Sequence, residues 1–319
     1  MNRKKPKSKY KTRNTQHESH QKALPVNLPG KNAKKPVILE PTPNISPLIS
    51  QNLLTQLPKI DIVQKMEARP ISRMQQNPQN EFLKTLKRLT YRHRTWDVWR
   101  DFVTMFACAI SNSLDKVHYD EREKLYLQII SKYNKNEQML FPELVAQTVM
   151  ALDENPEQDF LGNIFMNLDL GDDRKAQIFT PYNVCSMMAA MIMGDDAVSI
   201  VKKKGCLTIH DPCCGAGTTL IAGIHEAKRQ LEKENYNFQN HVFVVGQDID
   251  FTVALMSYIQ ISLLGVAGFI KVGNSLTEPI STSDTKENYW ITPMSFSNVW
   301  ITRHIVKEME LLLKEKREE

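Results

Sequence analysis

Two apolar segments of this chain each end in an aspartate, and these two ends constrain the fold more than any other feature. Leu207–His210 runs into Asp211 and then into a turn that contains two glycines. Val242–Gly246 runs into Asp248 in the same way. An apolar strand, a glycine turn and a helix start in this order are typical of an α/β protein that binds a small polar ligand at its strand ends. The chain is therefore predicted to carry such a ligand site.

Around these segments the apolar pattern alternates between helix and strand. From residue 178 it predicts, in order, Thr180–Met193, Leu207–His210, Thr218–Lys233, Val242–Gly246, Phe251–Leu264 and Phe269–Val272. Trp290–Ile291 is a candidate fourth strand, and Asn298–Lys316 is a closing helix. Such alternation implies a parallel, doubly wound sheet. The predicted fold class for residues 171–319 is therefore α/β and Rossmann-like.

Residues 81–170 are predicted to form a helical layer that precedes the sheet. One helix begins near Glu81, a second covers Thr95–Asn112, and two more cover 120–132 and 141–152. Their aromatic and aliphatic residues recur at helical spacing, which favours a buried core over a binding surface. The apolar positions of the first two helices are Phe82, Leu83, Leu86, Leu89, Trp96, Trp99, Phe102, Val103, Phe106 and Ala107.

Residues 1–80 have the composition of a disordered tail. Ten of the sixteen prolines of the chain lie there, and Tyr10 is its only aromatic residue. Such a segment buries too little apolar area to offset the entropy of ordering it. Lysine and arginine dominate residues 1–35, where Glu18 is the only acid. Two interpretations stay open: a solvated leader, or a cationic arm that grips the phosphates of a nucleic acid.

The whole chain has 319 residues, a net charge of +5 and five cysteines. A mildly basic balance is compatible with nucleic-acid contact without requiring it. The odd number of cysteines and their lack of zinc-type spacing indicate a reduced, intracellular protein with no metal site. No segment approaches the ~18 apolar residues of a membrane span, and the basic N-terminus lacks a secretory apolar core. We therefore expect a cytoplasmic protein.

The two strand ends offer complementary chemistry. Asp211 can pair with a ligand ammonium, and the amides of Gly217 and Thr218 can cap a ligand carboxylate. The alternative is a plain tight turn in which the aspartate is a cap. Asp248 offers two oxygens at the spacing of two ribose hydroxyls. Asp250 competes for that role, or else caps the helix that follows it.

The glycine turn argues against phosphate-bearing cofactors. A dinucleotide site favours Gly-x-Gly-x-x-Gly, but the third position here is Leu220. The chain has no Gly-Lys-Ser/Thr, which disfavours an ATP loop. A ligand with an ammonium, a carboxylate and a ribose but no phosphate fits best. S-adenosylmethionine has that set of groups.

Four ordered segments give the chain a specific resemblance. They are Gln177–Pro181, Asp211–Thr218, Gly246–Asp250 and Gly273–Leu276, and the matched region, about 158–280, also includes Asp159–Gly162. In these segments the chain resembles the adenine-specific DNA methyltransferases, in particular the modification subunit of type I restriction systems and its shorter phage relatives. The resemblance implies DNA as a partner and S-adenosylmethionine as the cofactor.

The resemblance also implies the residues that bind the cofactor. They are Phe179, Thr180, Asp211, Gly215, Gly217, Asp248 and Asn274. Thr180 corresponds to the family's contact with the methionine carboxylate, although it is equally placed to cap a helix before Pro181. Asn274 stands where the family usually has an aspartate near the adenine ring, so the contact there is made by a neutral side chain.

One family motif is missing. These enzymes hold the flipped adenine with Asn/Asp-Pro-Pro-Tyr/Phe, and no such tetrapeptide occurs in the chain. The expected place holds Tyr289–Phe296, in which Thr292-Pro293 is either a degenerate version of the motif or, as we favour, a plain junction between a strand and a loop. About one helix follows, so the expected sheet is shortened. No catalytic residue is assigned.

The sequence thus predicts a DNA adenine-N6 methyltransferase that uses S-adenosylmethionine and resembles a type I modification subunit. The alternative is a catalytically inactive accessory protein that binds S-adenosylmethionine or DNA. A specificity or complementing subunit is a further expected partner. Both interpretations require that Asp211 and Asp248 end neighbouring strands and share one crevice.

Overall fold

Helices make up most of the chain that the structure describes. The structure is a computed structural model, which describes residues 77–170, 179–281 and 283–318, with side chains as far as Met309. All of these residues fall in one unit, Ser72–Glu319. The predicted tail, residues 1–80, lies outside the described residues as far as residue 76.

The helical layer predicted for residues 81–170 is built from six helices. They are α1 (Pro78–Thr90), α2 (Thr95–Asn112), α3 (Tyr119–Ile130), α4 (Lys135–Gln138), α5 (Leu140–Glu154) and α6 (Phe160–Asn167). The bounds of α2 are those that the sequence pattern predicts. The helix predicted over 141–152 begins at Leu140, so Pro142 lies in its first turn, where a missing N–H costs nothing.

Aromatic side chains join the helices of this layer. Phe82 of α1 makes edge-to-face contacts with Trp99 and Phe102 of α2 and with Phe160 of α6, at centroid distances of 6.1, 5.5 and 5.6 Å. Leu86 is 1% exposed and lies on the same face of α1. The aromatic stripes of the sequence therefore belong to the core, as predicted, because their side chains pack against one another within the layer.

The α/β part follows in the predicted order. It comprises α7 (Tyr182–Met193), α8 (Ala197–Lys204), β1 (Leu207–Asp211), α9 (Thr218–Lys233), β2 (Val242–Asp248), α10 (Phe251–Leu263), β3 (Ala267–Val272), β4 (Tyr289–Ile291) and α11 (Asn298–Glu318). Short 3-10 turns at Phe238–Asn240 and Pro293–Phe296 precede β2 and α11. The α/β class predicted from the sequence is confirmed.

The four strands form one sheet in the order β1-β2-β3-β4. β1, β2 and β3 are parallel, with Leu207 opposite Val242 and Phe243 opposite Ala267. β4 is antiparallel to β3, so the expectation of a wholly parallel sheet was wrong at this strand. The physical reason is the type of connection: the described residues between β3 and β4 contain no helix, and a parallel return is usually made through a crossover helix.

Different helices cover the two faces of the sheet. The crossover helices α9 and α10 lie on one face, where Leu220, Ile224 and Tyr258 are fully buried. On the other face Phe243 is covered by Trp300 of α11, at 5.3 Å between ring centroids. Towards β1 that face opens, and His210 is exposed. Among the described residues β1 pairs only with β2, so its outer edge carries unpaired backbone groups.

One buried arginine fastens the helical layer to the sheet. The guanidinium of Arg122 in α3 donates to Asp115 Oδ2 at 2.9 Å and to the carbonyl of Tyr289 in β4 at 2.7 Å. It also stacks over the Trp290 ring, 4.0 Å from the centroid. Planar, polydentate donors of this kind fix orientation, so this contact sets how α3 meets the edge of the sheet.

No single helix in the described part of the chain combines the length and the apolar content of a membrane span. The two helices α7 and α8 reach those values only when they are counted together across a bend of 56°.

Candidate functional site

The two aspartate-bearing strand ends are neighbours. β1 and β2 pair in parallel, with Asp211 opposite Gly246, so Asp248 lies two residues beyond that pair at the same end of the sheet. The part of the requirement that concerns the sheet, that Asp211 and Asp248 end neighbouring strands, is met by this pairing.

The turn between β1 and α9 is held against the tip of β2. The amide of Cys214 donates to the carbonyl of Gln247 at 2.9 Å, and the amide of Gly217 closes the turn onto Cys214 at 2.8 Å. Gly217 has φ = +98°, and a Cβ atom there would lie 2.7 Å from Ser257 Oγ of α10. Only glycine accommodates both the backbone angle and this close approach.

Asp211 organises the beginning of the turn. Its Oδ1 accepts the amide of Cys213 at 2.9 Å, and its Oδ2 accepts the hydroxyl of Thr219 in the first turn of α9. The carboxylate is half-buried. Each of its oxygens retains acceptor capacity, since an ionised carboxylate has about four lone-pair sites. The alternative of a tight turn stabilised by the aspartate is therefore real, and it is compatible with ligand binding.

Asp248 joins the tip of β2 to the glycine turn. Its Oδ2 accepts the amide of Gly215 at 2.9 Å, and its Oδ1 accepts the amide of Asp250 at 2.9 Å. Burial raises the pKa of Asp248, the nearby charges of Asp250 and Asp211 raise it further, and the two amide hydrogen bonds oppose this shift. The carboxylate is thus held near other acids, and this environment favours a ligand whose groups donate hydrogen bonds to it.

The competing aspartate has another role. Asp250 is the N-cap of α10, where its Oδ1 accepts the amides of Thr252 and Val253 at 3.0 and 3.2 Å. The helix-cap interpretation of Asp250 is confirmed, because the oxygen is committed to the orphan amides of the first helical turn.

Phe179 lies against the glycine turn, and Thr180 follows it along the chain. The Phe179 ring lies 3.5 Å from the place that a Cβ atom on Gly215 would occupy, and it packs on Phe165 of α6 at 5.5 Å. Thr180 is exposed. The N-cap of α7 is Pro181, without a side-chain cap, so the alternative role of Thr180 as the cap of this helix was wrong.

Asn274 lies just beyond β3 and uses its side chain locally. Its Oδ1 accepts the amides of Leu276 and Thr277 at 2.9 and 3.4 Å, which makes a tight turn. The backbone of this loop is adjacent to the second aspartate tip, because the amide of Gly273 donates to the carbonyl of Asp248 at 2.9 Å. The structure therefore brings Asn274 to the same end of the sheet as the two aspartates.

The sequence analysis missed the residues that secure this loop. Lys271 of β3 is 5% exposed, and its ammonium donates to the carbonyl of Glu278 at 2.9 Å and to Asp284 Oδ2 at 2.6 Å. The amide of Gln247 in β2 donates to the carbonyls of Gly273 and Glu278. The signal was present: a lysine within an otherwise apolar strand needs partners for its charge.

The pair Thr292-Pro293 lies beside the amino end of β3, whereas the two aspartates lie at the carboxyl ends of β1 and β2. Thr292 is fully buried, and its Oγ1 donates to the carbonyl of Val266 at 2.7 Å. Its amide pairs with Gly268, near the amino end of β3. The interpretation of Thr292-Pro293 as a degenerate base-holding motif was therefore wrong, and the plain strand-to-loop junction is what the structure contains.

Two cavities open away from the glycine turn. One, of about 470 Å³, is lined by α3 and Ser131. The other, of about 360 Å³, lies between α3 and the β3–β4 edge, and its walls carry both acids and bases. Neither is lined by a residue of the turn or by either aspartate tip. The tips of β1 and β2 stay the candidate site, because hydrogen-bond donors and acceptors converge there.

Comparisons with known proteins find a family match for most of the second half of the chain. Residues 163–317 match the family described as N-6 DNA Methylase. Among solved structures, the chain is similar to a candidate class I S-adenosylmethionine-dependent methyltransferase from Listeria monocytogenes, with 14% identity, a TM-score of 0.33, and coverage of 70% of this chain and 69% of that one. No curated protein matches. The family resemblance inferred from the sequence is confirmed for the matched residues.

Proposed function

We propose that residues 163–317, which match the N-6 DNA methylase family, bind S-adenosylmethionine at the tips of β1 and β2 and methylate adenine N6 in DNA. The chain is then a methyltransferase that depends on S-adenosylmethionine. The proposal includes adenine as the target and a likeness to a type I modification subunit. It also includes a role in restriction–modification, in the cytoplasm, for a protein of bacterial or phage type.

One observation carries the proposal. Asp211 and Asp248 end adjacent parallel strands, and both are hydrogen-bonded to the same glycine turn, Asp211 at Cys213 and Asp248 at Gly215. The turn approaches α10 so closely at Gly217 that no side chain fits there. An acid on each side of a close-approach backbone loop suits a ligand with an ammonium at one end and a diol at the other.

The residues fit S-adenosylmethionine group by group. We assign Asp211 to the ammonium and Asp248 to the two ribose hydroxyls. Each carboxylate accepts hydrogen bonds from these groups with its remaining lone pairs. The ligand carboxylate is assigned to the amide of Thr218 at the start of α9, where the partial positive charge of the helix is greatest, and to Thr180. The amide of Gly217, also expected to bind it, is instead donated to the carbonyl of Cys214. Phe179 contacts the cofactor from the side of α7, and Asn274 lies on the adenine side.

When bound, S-adenosylmethionine supplies a methyl group that passes directly to the exocyclic amine of the base. The side chains at the strand tips bind and orient. Their contribution to rate is positioning, since a fixed donor and acceptor geometry replaces a bimolecular encounter. None of them is assigned the task of removing a proton.

A second candidate function is a catalytically inactive accessory protein that binds S-adenosylmethionine or DNA. The observation in its favour is the missing Asn/Asp-Pro-Pro-Tyr/Phe motif, together with the burial of Thr292 at the far end of β3. Without this motif, the amine of a flipped adenine has no assigned partner in the chain, and residues of another polypeptide would have to hold it.

The partners proposed are DNA and a complementing or specificity subunit. The basic segment at residues 1–37 is proposed to contact phosphates, on the strength of its charge alone. The outer edge of β1 is proposed to receive a strand of the complementing subunit, since its backbone groups are unpaired among the described residues and the adjoining His210 is exposed.

The central test combines a binding and a transfer measurement. Calorimetric titration with S-adenosylmethionine is expected to detect binding, and tritium transfer to unmethylated DNA is expected to separate the enzyme from the accessory protein. Asp248→Ala should abolish both signals. Asp153→Ala, which removes an exposed acid on α5, is the charge-matched control and should change neither. Binding without transfer supports the accessory protein, and absence of S-adenosylmethionine binding defeats the methyltransferase and the cofactor-binding form of the accessory protein.

Two further measurements address the partners. Deletion of residues 1–37 should weaken DNA binding and flatten its dependence on salt, because fewer counterions are then released. An unchanged salt slope would exclude the cationic arm. Addition of a complementing subunit encoded beside this chain should protect the β1 amides from hydrogen exchange, and unprotected β1 amides would reject strand addition at that edge.

A further inference from the structure

A buried acid outside the two strand tips lies directly behind the glycine turn. Asp159 immediately precedes α6 and is 3% exposed. Its Oδ1 accepts the amide of Gly162 at 2.7 Å, and its Oδ2 accepts the hydroxyl of Thr218 at 2.5 Å. Thr218 is the first residue of α9, next to Gly217. A single carboxylate thus joins the helical layer to the helix start that the cofactor site uses.

A glutamine connects the same carboxylate to the turn itself. Gln260 of α10 is fully buried, and its Nε2 donates to Asp159 Oδ1 at 2.8 Å and to the carbonyl of Ala216 at 2.9 Å. Its Oε1 accepts the amide of Leu161 at 3.1 Å. Every polar atom of this amide is therefore engaged, and the direction of the Ala216 peptide is fixed from behind.

The local backbone is adapted to this acid. A Cβ atom on Gly162 would lie 2.1 Å from Asp159 Oδ2 and 2.5 Å from its Cγ. A side chain at position 162 would displace the carboxylate from its hydrogen bonds. The glycine in Asp159–Gly162 thus has a steric explanation that concerns the position of the acid.

Helix capping explains only part of this arrangement: Asp159 is the N-cap of α6, but its bonds to Thr218 and Gln260 lie outside the cap. The three groups that donate to Asp159 are neutral, and burial raises the pKa of the acid despite them. A buried carboxylate with neutral partners costs desolvation energy that an apolar side chain of similar size avoids. What the carboxylate provides is geometry, since it fixes three donors from three separate elements at one point.

We infer that Asp159 is a positioning residue for the cofactor site, which acts through Thr218 and Gln260 to hold the turn Ala216–Thr218 in the conformation that receives S-adenosylmethionine. This inference rests on the proposed function. It gives the helical layer a part in the cofactor site. In this proposal α6 does not contact the ligand, but the acid at its N-terminus fixes the position of the turn amides that bind the ligand.

The test compares Asp159→Asn with Asp101→Asn in the full chain. Asparagine at 159 has the same shape but no charge, and its NH₂ group reverses the hydrogen bond with the Thr218 hydroxyl, so the turn should be held less firmly and the Kd for S-adenosylmethionine should rise about tenfold. Asp101 of α2 is equally buried and accepts from Lys132 and Tyr133, far from the turn in the same layer. Its variant should lose stability but keep the wild-type Kd within about twofold.

The readout is calorimetric Kd measured well below the melting temperature of each variant. Thr218→Val, which removes the hydroxyl at nearly constant volume, should reproduce the loss of affinity, and Thr218→Ser should restore it. This pair keeps the test decisive where Asp159→Asn does not fold.

The outcomes separate the two proposals. Wild-type binding with unchanged Kd in folded Asp159→Asn or in Thr218→Val overturns the positioning role and leaves the proposed function standing. An equal rise of Kd in Asp101→Asn also overturns it, because the effect is then one of general stability. No binding by the wild-type chain overturns the proposed function and the inference together.

Discussion

Substitution of Gly217 by alanine tests the closest approach in the candidate site. Two costs follow from the structure. The residue has φ = +98°, which costs an L-amino acid roughly 1–2 kcal/mol. The new Cβ atom would lie 2.7 Å from Ser257 Oγ and 3.2 Å from Ser257 Cα, an overpacked contact that costs roughly 1–3 kcal/mol. Together they should lower the free energy of unfolding by about 2–5 kcal/mol.

The two costs can be separated with a matched control. Gly215→Ala also introduces a side chain at positive φ, +56°, but its Cβ atom would meet only the Phe179 ring at 3.5 Å, an ordinary contact. It should therefore show the backbone cost alone. In the Gly217→Ala background, Ser257→Gly removes the nearest clashing atom and should recover about 1–2 kcal/mol as a positive coupling in the double-mutant cycle.

Urea denaturation followed by circular dichroism gives these free energies, and thermal melting checks them. For a unit of this size, a loss of about 3 kcal/mol lowers Tm by roughly 6–12 °C. Equal destabilisation by Gly217→Ala and Gly215→Ala, or no coupling with Ser257→Gly, would refute the steric reasoning. Calorimetry should also show weaker S-adenosylmethionine binding by Gly217→Ala, because the displaced turn no longer presents its amides.

Three further outcomes are expected. Because burial raises the pKa of Asp248, this carboxylate is protonated at a higher pH than an ordinary aspartate, so calorimetric affinity for S-adenosylmethionine should fall as pH drops through that raised pKa; a flat profile would contradict the ribose assignment. The hydrogen bond from Lys271 lowers the pKa of Asp284 from 3.8 to about 2, so its stabilising effect is complete above the ordinary value and lost as pH falls towards 2; wild type and Asp284→Asn should differ at pH 7 in urea titrations and converge near pH 2. Arg122→Ala leaves buried Asp115 with His118 as its remaining side-chain partner and leaves the Tyr289 carbonyl without its donor, so it should cost about 3–5 kcal/mol, whereas Arg100→Ala, at a half-exposed pair, should cost less than about 1 kcal/mol; equal effects would show that the Arg122 contacts do not fasten the layer.

The sequence predicted the elements of the α/β part closely. The helix Thr218–Lys233 has the predicted bounds, β1 and β2 extend to the aspartates that end their apolar runs, and α10 ends one residue earlier than predicted. These features depend on apolar spacing, on glycine and on helix caps, all of which act over a few residues and are legible in a single sequence.

The sequence also predicted which strand ends meet. β1 and β2 are joined by one helix, and such a connection makes parallel neighbours with their carboxyl ends together. The same rule failed at β4, because only a loop precedes it and the strand turns back along β3. The alternative cap role of Thr180 failed for a related reason: the backbone enters α7 one residue later, at Pro181.

By itself, then, the sequence determined the class of fold, the glycine turn and the adjacency of Asp211 with Asp248. Only the tertiary structure decided that Asp248 holds Gly215, that Thr292 is buried at the far end of β3, and that Asp159 lies behind Thr218. These contacts join residues that are distant along the chain, where geometry depends on how whole elements pack. Local pattern reports which face of an element is apolar, but the polar partner that a buried side chain finds across the core is fixed only when the layers come together.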